Sequence, residues 1–359
     1  MDDTPVVNRP LTASVVGGGV GGQLSVQALS NSPNFELRAV ADRNERVREQ
    51  IATQYPGVLT FSSHEMMFTE CPTDVICVST YPSSHEEVAL AALHLPLAGI
   101  LVEKPLSDTY AAGRRILDAI EGRRLPVVVP HGLLARATPL DVLQCVRRGC
   151  IGVLSLVEVQ CAHLDIINAG IHWVNFFVHL IGDEPIHSVL AACDTTSRTH
   201  RYGLKVETDA VTYLRSASGT RMIMNTGDDT PVAAEGVETL FRLVGSEGII
   251  EFAGWVPGYR LMNADHPTGM VIMPDELYKT PHQVYLDNLA AMIASNSVDY
   301  SLAKSSLRAL EACEAAYVSN RYRCTIHLPL AAFTPPTPSN WDAGTPYVGE
   351  EGSRDGRRL

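Results

Sequence analysis

Residues 11–42 read LTASVVGGGVGGQLSVQALSNSPNFELRAVAD, and the order of residue types in this stretch decides the fold class. A short apolar run at 12–16 ends on glycines. Gly17, Gly19 and Gly22 form G-x-G-x-x-G, a helical stretch at 22–29 follows, and a second apolar run at 36–41 leads into Asp42. Each glycine has its own physical role: the first makes a tight turn, the second lets the backbone approach a diphosphate, and the third lets helix pack on strand. The helix start then offers free N–H groups and a partial positive charge to an anion. Asp42 stands about 20 residues past the last glycine, where a carboxylate accepts from both ribose hydroxyls and repels a 2′-phosphate. That favours NAD; the guanidinium of Arg43 beside it is able to clasp a 2′-phosphate and keeps NADP open.

The same alternation continues outward. Apolar runs at 58–61, 75–79, 99–102 and 126–129 interleave with helical patterns at 44–54, 85–93 and 109–120, which predicts a doubly wound parallel sheet. After Pro139 the pattern changes to alternating runs at 154–160, 186–191, 210–214, 221–225, 238–245 and 248–252, followed by helical stretches at 281–295 and 305–317. The expectation is α/β overall: a dinucleotide-binding domain over 1–130, and an α+β domain with a large, mostly antiparallel sheet over 131–330. Residues 331–359, rich in Pro, Gly, Ser and charge, read as a tail or arm. A length of 359 residues agrees with two domains.

Composition excludes several classes. Lys and Arg number 28 against 40 Asp and Glu, a net charge of −12 that repels nucleic-acid phosphates and acidic membrane surfaces. The apolar stretches at 88–93 and 166–180 are too short or too interrupted for a membrane helix. Residues 1–10 carry two Asp and lack the layout of a secretory leader, so a cytoplasmic location is expected. The eight cysteines show no C-x-x-C pair, which reads as reduced thiols without a zinc site. His163, Asp165, His172 and His179 lack metal-ligand spacing, and no G-x-S-x-G elbow is present, so no metal and no hydrolase is expected.

Two stretches carry candidate chemistry. Glu103, Lys104 and Pro105 directly follow the run at 99–102, at the carboxyl edge of the parallel sheet where ligands bind in this fold class. A lysine there holds its ammonium where it can orient a substrate hydroxyl and lower its pKa, and Pro105 suits a cis peptide bond. Residues 168–181, NAGIHWVNFFVHLI, form an apolar helix with one polar stripe: Asn168, His172, Asn175 and His179. An imidazole with a pKa near neutrality suits removal of an alcohol proton, which makes His172 the candidate acid/base.

Together, VVGGGVGG, AVADRNERV around Asp42, YPSSHEEVALAAL, LVEKPL, NAGIHWVNFFVHLIG and RALEACEAAYVSNRY resemble the Gfo/Idh/MocA oxidoreductases over roughly residues 11–330. The resemblance implies a Rossmann domain that binds NAD, with NADP possible, through Gly17, Gly19, Val20, Gly22, Asp42, Arg43, Ser79, His85, Glu103 and Lys104. It implies Lys104 and His172 flanking the substrate beside the nicotinamide, with Asn168 as a third catalytic-site residue. Asn168 stands where inositol dehydrogenases carry an aspartate, and an amide orients but relays no proton. GLLARATP keeps Arg136 but puts Leu134 where relatives carry asparagine, so His131 and Arg136 join Asn168, His172 and Asn175 as substrate-binding candidates. The implied partners are a small carbohydrate or polyol and further copies of the chain, as a homodimer or homotetramer. Trp341, Tyr347, Arg354, Arg357 and Arg358 suit an arm that wraps a neighbouring subunit, with a solvated tail as the alternative.

The leading expectation is therefore an NAD(P)-dependent dehydrogenase or reductase acting on a CH–OH group of a sugar, polyol or derivative. Two alternatives stand beside it. One is a redox-neutral isomerisation, elimination or glycoside cleavage with tightly held NAD, and the other a non-catalytic, dinucleotide-binding regulator.

Overall fold

Strand β1 (Leu11–Val16) is buried almost throughout, as a central parallel strand must be when helices cover both faces of its sheet. In the computed structural model, which describes residues 9–196, 199–232, 236–277 and 279–335, it leads into α1 (Val20–Ser30). The chain continues through β2 (Phe35–Ala41), α2 (Glu45–Gln54), β3 (Leu59–Phe61), α3 (His64–Glu70), β4 (Val75–Val78), α4 (His85–Ala92), β5 (Gly99–Val102), α5 (Tyr110–Gly122) and β6 (Val127–Val128). The strands are parallel in the order β3-β2-β1-β4-β5-β6. The order reverses between β1 and β4, and the crevice above that switch point is where such sheets bind ligands.

Past α6 (Ala137–Arg147), the second sheet is built from β7 (Leu154–Ala162), then, after α7 (Ile171–Ile181), β8 (Ile186–Asp194). A small hairpin of β9 (Thr199–Arg201) and β10 (Leu204–Val206) follows, then β11 (Asp209–Ser216), β12 (Arg221–Gly227), β13 (Thr239–Gly245), β14 (Gly248–Ala253), β15 (Tyr259–Asn263) and β16 (Met270–Ile272). Helices α8 (Pro281–Ala294) and α9 (Ser301–Tyr322) and strand β17 (Ile326–His327) complete it. Among the described residues the order is β16-β15-β14-β13-β7-β12-β11-β8-β17, antiparallel except for the β7–β12 pair. Trp173 and Phe176 of α7 pack edge-on against Phe241, and Phe176 also against Phe252, on the covered face.

The predicted strands agree with these within a few residues. Two helices escape the sequence patterns. Helix α3 is seven residues long, too short to display a period, and α6 contains Pro139. That proline sits in the first turn, where a missing N–H costs no intrahelical bond. Helix α8, assigned by position to the second domain, places Tyr285, Leu286, Leu289 and Ala290 in one core with Val15, Val26, Leu29 and Leu101 of the first. Residues 336–359, which hold the tail's Trp341, Tyr347, Arg354, Arg357 and Arg358, lie outside the described residues. No helix among the described residues is long and apolar enough to cross a membrane.

Candidate active site

A cavity of about 780 Å³ runs from the glycine turn to the covered face of the second sheet. At its first end Gly17 has φ +92°, and a Cβ there would overlap the carbonyl of Ser79. A Cβ on Gly22 would overlap the carbonyl oxygen of Gly17, so the third glycine brings helix against turn and does not line the cavity. Nothing lies within 4 Å of where a Gly19 side chain would start. Helix α1 begins there with no side-chain cap and no acidic residue in its first turn. Val20 and Gly21 line the cavity, so the arrangement fits a diphosphate at a helix start.

Asp42 lines the same end. Its Oδ2 accepts from Gly18 N at 2.7 Å and its Oδ1 from Asn44 N at 2.7 Å, so the carboxylate ties the glycine turn to the start of α2. Each oxygen keeps acceptor capacity for a ribose hydroxyl. Arg43 lines the rim, while Arg48 donates to the carbonyls of Asp42 and Arg43 and holds this corner. Ser79 lines the cavity. His85 does not: fully buried, its ring nitrogens lie 3.0 Å from the carbonyl oxygen of Pro105 and 2.9 Å from that of Thr80. It braces the loop of the cis Lys104–Pro105 peptide from behind, so the expectation of a direct cofactor contact is corrected to a supporting position.

Lys104 reaches into the middle of the cavity. Its Nζ donates to the main-chain carbonyl of Asn168 at 2.8 Å, leaving two N–H groups of the ammonium for other acceptors. Burial pulls its pKa below the ordinary lysine value, against the opposing charges of Glu103 and Asp165. Glu103 accepts from His282 Nε2 at 2.5 Å and from Lys104 N at 3.2 Å. Asn168 is oriented by Asp165, which accepts from its main-chain N at 2.8 Å and from Nδ2 at 3.0 and 3.1 Å. The amide thus holds no proton path, and its carbonyl anchors the lysine.

His172 lines the cavity wall, 8% exposed, with Nδ1 buried and without a hydrogen-bond partner among the described residues. Burial, then the charge of Lys104 and the His131 and His282 rings, holds its pKa well below 6.5. The imidazole is neutral at neutral pH and ready to accept a proton. Its ring meets His131 at 5.3 Å and Trp255 at 5.8 Å, both edge-on.

The polar stripe divides. Asn168 lies in a π-helical turn, Ile166–Gly170, ahead of α7, so the regular spacing assumed from residue 168 onward does not hold. Asn175 is fully buried and donates to Ser305 Oγ at 3.1 Å, and His179 Nε2 meets the same hydroxyl at 3.1 Å. The expectation that Asn175 contacts substrate is therefore corrected: it faces α9, outside the cavity. His131 also stands behind the lining, 1% exposed, its Nε2 at 2.8 Å from Ser306 Oγ. Burial, reinforced by the Lys104 charge, lowers its pKa to about 3. Arg136 does line the cavity, its guanidinium 5.5 Å from the centre of the Trp255 ring.

Sequence reasoning missed Trp255, Tyr81, Tyr202 and His282 on the cavity wall. Tyr202 comes from the tip of the β9–β10 hairpin, where Gly203, at φ +78°, is packed on the ring of Tyr81. Only the rarity of tryptophan and the position of His282 after the Thr280–Pro281 helix start were available as signals.

Residues 11–131 match the family model described as "Oxidoreductase family, NAD-binding Rossmann fold" of the Gfo/Idh/MocA type. The rhizopine catabolism protein MocA of Rhizobium meliloti is 28% identical over 219 residues, which span 56% of this chain and 65%, slightly under two thirds, of that protein. The inositol 2-dehydrogenase of Acidiphilium cryptum is 26% identical over 285 residues, 74% of this chain and 80% of that one. A structure of levoglucosan dehydrogenase in complex with NADH superposes with a TM-score of 0.74, covering 89% of this chain and 99% of that one. At 16% identity the likeness is one of fold.

Proposed function

We propose that the chain, whose residues 11–131 match the NAD-binding Rossmann model of the Gfo/Idh/MocA oxidoreductases, is a dehydrogenase or reductase of a secondary alcohol on a sugar, cyclic polyol or related compound. The observation that carries this reading is the convergence of Lys104 and His172 on one cavity with the glycine turn. A neutral imidazole and an anchored ammonium are the groups that proton removal from a hydroxyl needs. A relative named inositol 2-dehydrogenase supports the polyol class.

Gly17, Gly19, Asp42 and the start of α1 hold NAD, with Asp42 favouring it over NADP. When bound, NAD supplies the hydride acceptor. His172 takes the hydroxyl proton. Lys104 directs its free N–H groups at the same oxygen and stabilises its developing negative charge. The carbonyl of Asn168, itself held by Asp165, keeps the ammonium in place. Trp255 offers a flat apolar face to a sugar ring.

The test is a panel of sugars, inositols and sugar acids assayed separately with NAD and NADP at 340 nm. NAD-linked turnover of at least one panel member supports the reading. A copurifying dinucleotide with substrate conversion but no net absorbance change moves it to the redox-neutral alternative. We propose also that the uncovered face of the nine-stranded sheet pairs subunits. Val211 is 52% and Leu190 44% exposed on adjacent strands there, and Val211→Glu should lower the mass seen by light scattering.

A further inference from the structure

The geometry points to Arg136 as a receptor for an anionic group, so that the substrate of the proposed dehydrogenase carries an oxyanion, as a sugar acid or sugar phosphate does. This rests on the reading of the cavity as a dehydrogenase site and adds the charge of what enters it. Arg136 closes the 3₁₀ turn at Gly132–Ala135 and precedes α6, with its side chain on the cavity wall. Among the described residues its Nε is buried without a hydrogen-bond partner, and Nη1 makes only a 3.5 Å contact with the main-chain oxygen of Trp255. No carboxylate of a described residue lies within ion-pair distance of it.

Two other partly buried arginines do meet oxygen partners, although Arg201 Nη1 also makes no hydrogen bond among the described residues. Arg201 holds Asp228 at 2.6 Å and lies 3.6 Å from Asp165, and Arg308 donates to the carbonyls of Gly182 and Glu184. The carboxylates that line the cavity are engaged as well: Asp42 by the glycine turn and Asn44, Glu103 by His282 and the Lys104 amide. Arg136 is thus a partly desolvated cation with unused donors on a wall shared with the candidate acid/base. A guanidinium in that state carries a desolvation penalty that a planar oxyanion relieves, and its forked N–H groups match carboxylate and phosphate oxygens two at a time. Trp255 holds the fork from one face and presents its ring toward His172, which places an anion and a reacting carbinol on the same ligand.

The experiment titrates the NAD-loaded protein by calorimetry, at fixed ionic strength, with two triads: glucose, glucuronate and glucose 6-phosphate, and galactose, galacturonate and galactose 6-phosphate. The expected result is that an anionic member binds about 10- to 100-fold tighter than its neutral parent, the range of a charge-assisted hydrogen bond. Arg136→Gln abolishes that preference, and Arg136→Lys, which keeps the charge without the fork, retains part of it and controls for folding. The carboxylate and phosphate arms identify the source of the anion. The proposal is overturned if no anionic member binds tighter than its parent, if the preference survives in Arg136→Gln, or if that variant loses NAD affinity, which would assign the cation to the cofactor. A wild-type chain that binds no NAD overturns the dehydrogenase reading instead.

Discussion

At the scale of single residues, the candidate chemistry depends on protonation states that burial sets. His172 works as a base only when neutral, and its lowered pKa means that it stays neutral well below pH 6.5. Lys104 works only when charged, and its pKa lies below 10.5. The pH profile of kcat/KM for alcohol oxidation should therefore show no acid limb at pH 6.5, and its alkaline limb should appear earlier than a free lysine would give. An acid limb at 6.5 or above would place the working base elsewhere. His172→Ala should lower kcat by about 10²- to 10⁴-fold, the usual size of a lost general base, while NADH titration gives near wild-type affinity. Asp42, Lys104 and His172 were legible because each has a reason written into its chain neighbours. Asn175 was misplaced and Trp255 overlooked because what a side chain faces depends on elements distant in the chain.

At the scale of elements, two devices position the site. The first is the turn between β1 and α1, where left-handed backbone at Gly17 and the close approach at Gly22 both exclude a side chain. Gly22→Ala should push α1 off the turn, abolishing NADH binding in a fluorescence titration and lowering the melting temperature. A variant that binds normally would contradict the packing role of the third glycine. The second device is the π-helical turn before α7. It separates Asn168 from the helix, so that its carbonyl meets Lys104 while His172 enters from the first turn of α7. Asp165 holds this turn through three contacts to Asn168, and Asp165→Ala should lower kcat with a smaller change in NADH affinity. Steady-state kinetics beside cofactor titration separate the two effects. Periodicity read the helix and missed the turn, because one extra residue in a helical ladder leaves no compositional trace.

At the scale of the whole molecule, the interior stores neutral histidines. His131 has its pKa lowered to about 3 and His179 to about 4, and those of His85 and His172 are also lowered, in each case with burial as the largest cause. The unfolded chain takes up these protons near pH 6.5 and the folded chain resists them, so stability is full above 6.5 and falls as pH drops through that value. For His131 alone the loss between pH 6.5 and 5 is about 2 kcal/mol. Denaturant melts at pH 7.5 and 5 should show this decline, and His131→Gln should reduce it. The parallel sheet and the second sheet are also joined by α8 and α9, which cross the domain division drawn from sequence at residue 130. No pattern within 281–294 distinguishes packing on one domain from packing on the other, since both faces offered are apolar.

By itself the sequence determined the β-α alternation, the strands of the first sheet and all of the second but β15, β16 and β17, the glycine turn with Asp42 beside it, and the choice of Lys104 and His172 as candidates. These follow from local rules: period, backbone freedom and short-range charge. The tertiary structure alone decided which polar groups of residues 168–181 meet the cavity, that the Asn168 carbonyl meets Lys104, that Trp255, Tyr202 and His282 line the wall, and that Arg136 stands there without a counter-ion among the described residues. The reason is that solvation and pairing depend on which distant segments share a surface, and adjacency in space is not written in adjacency along the chain.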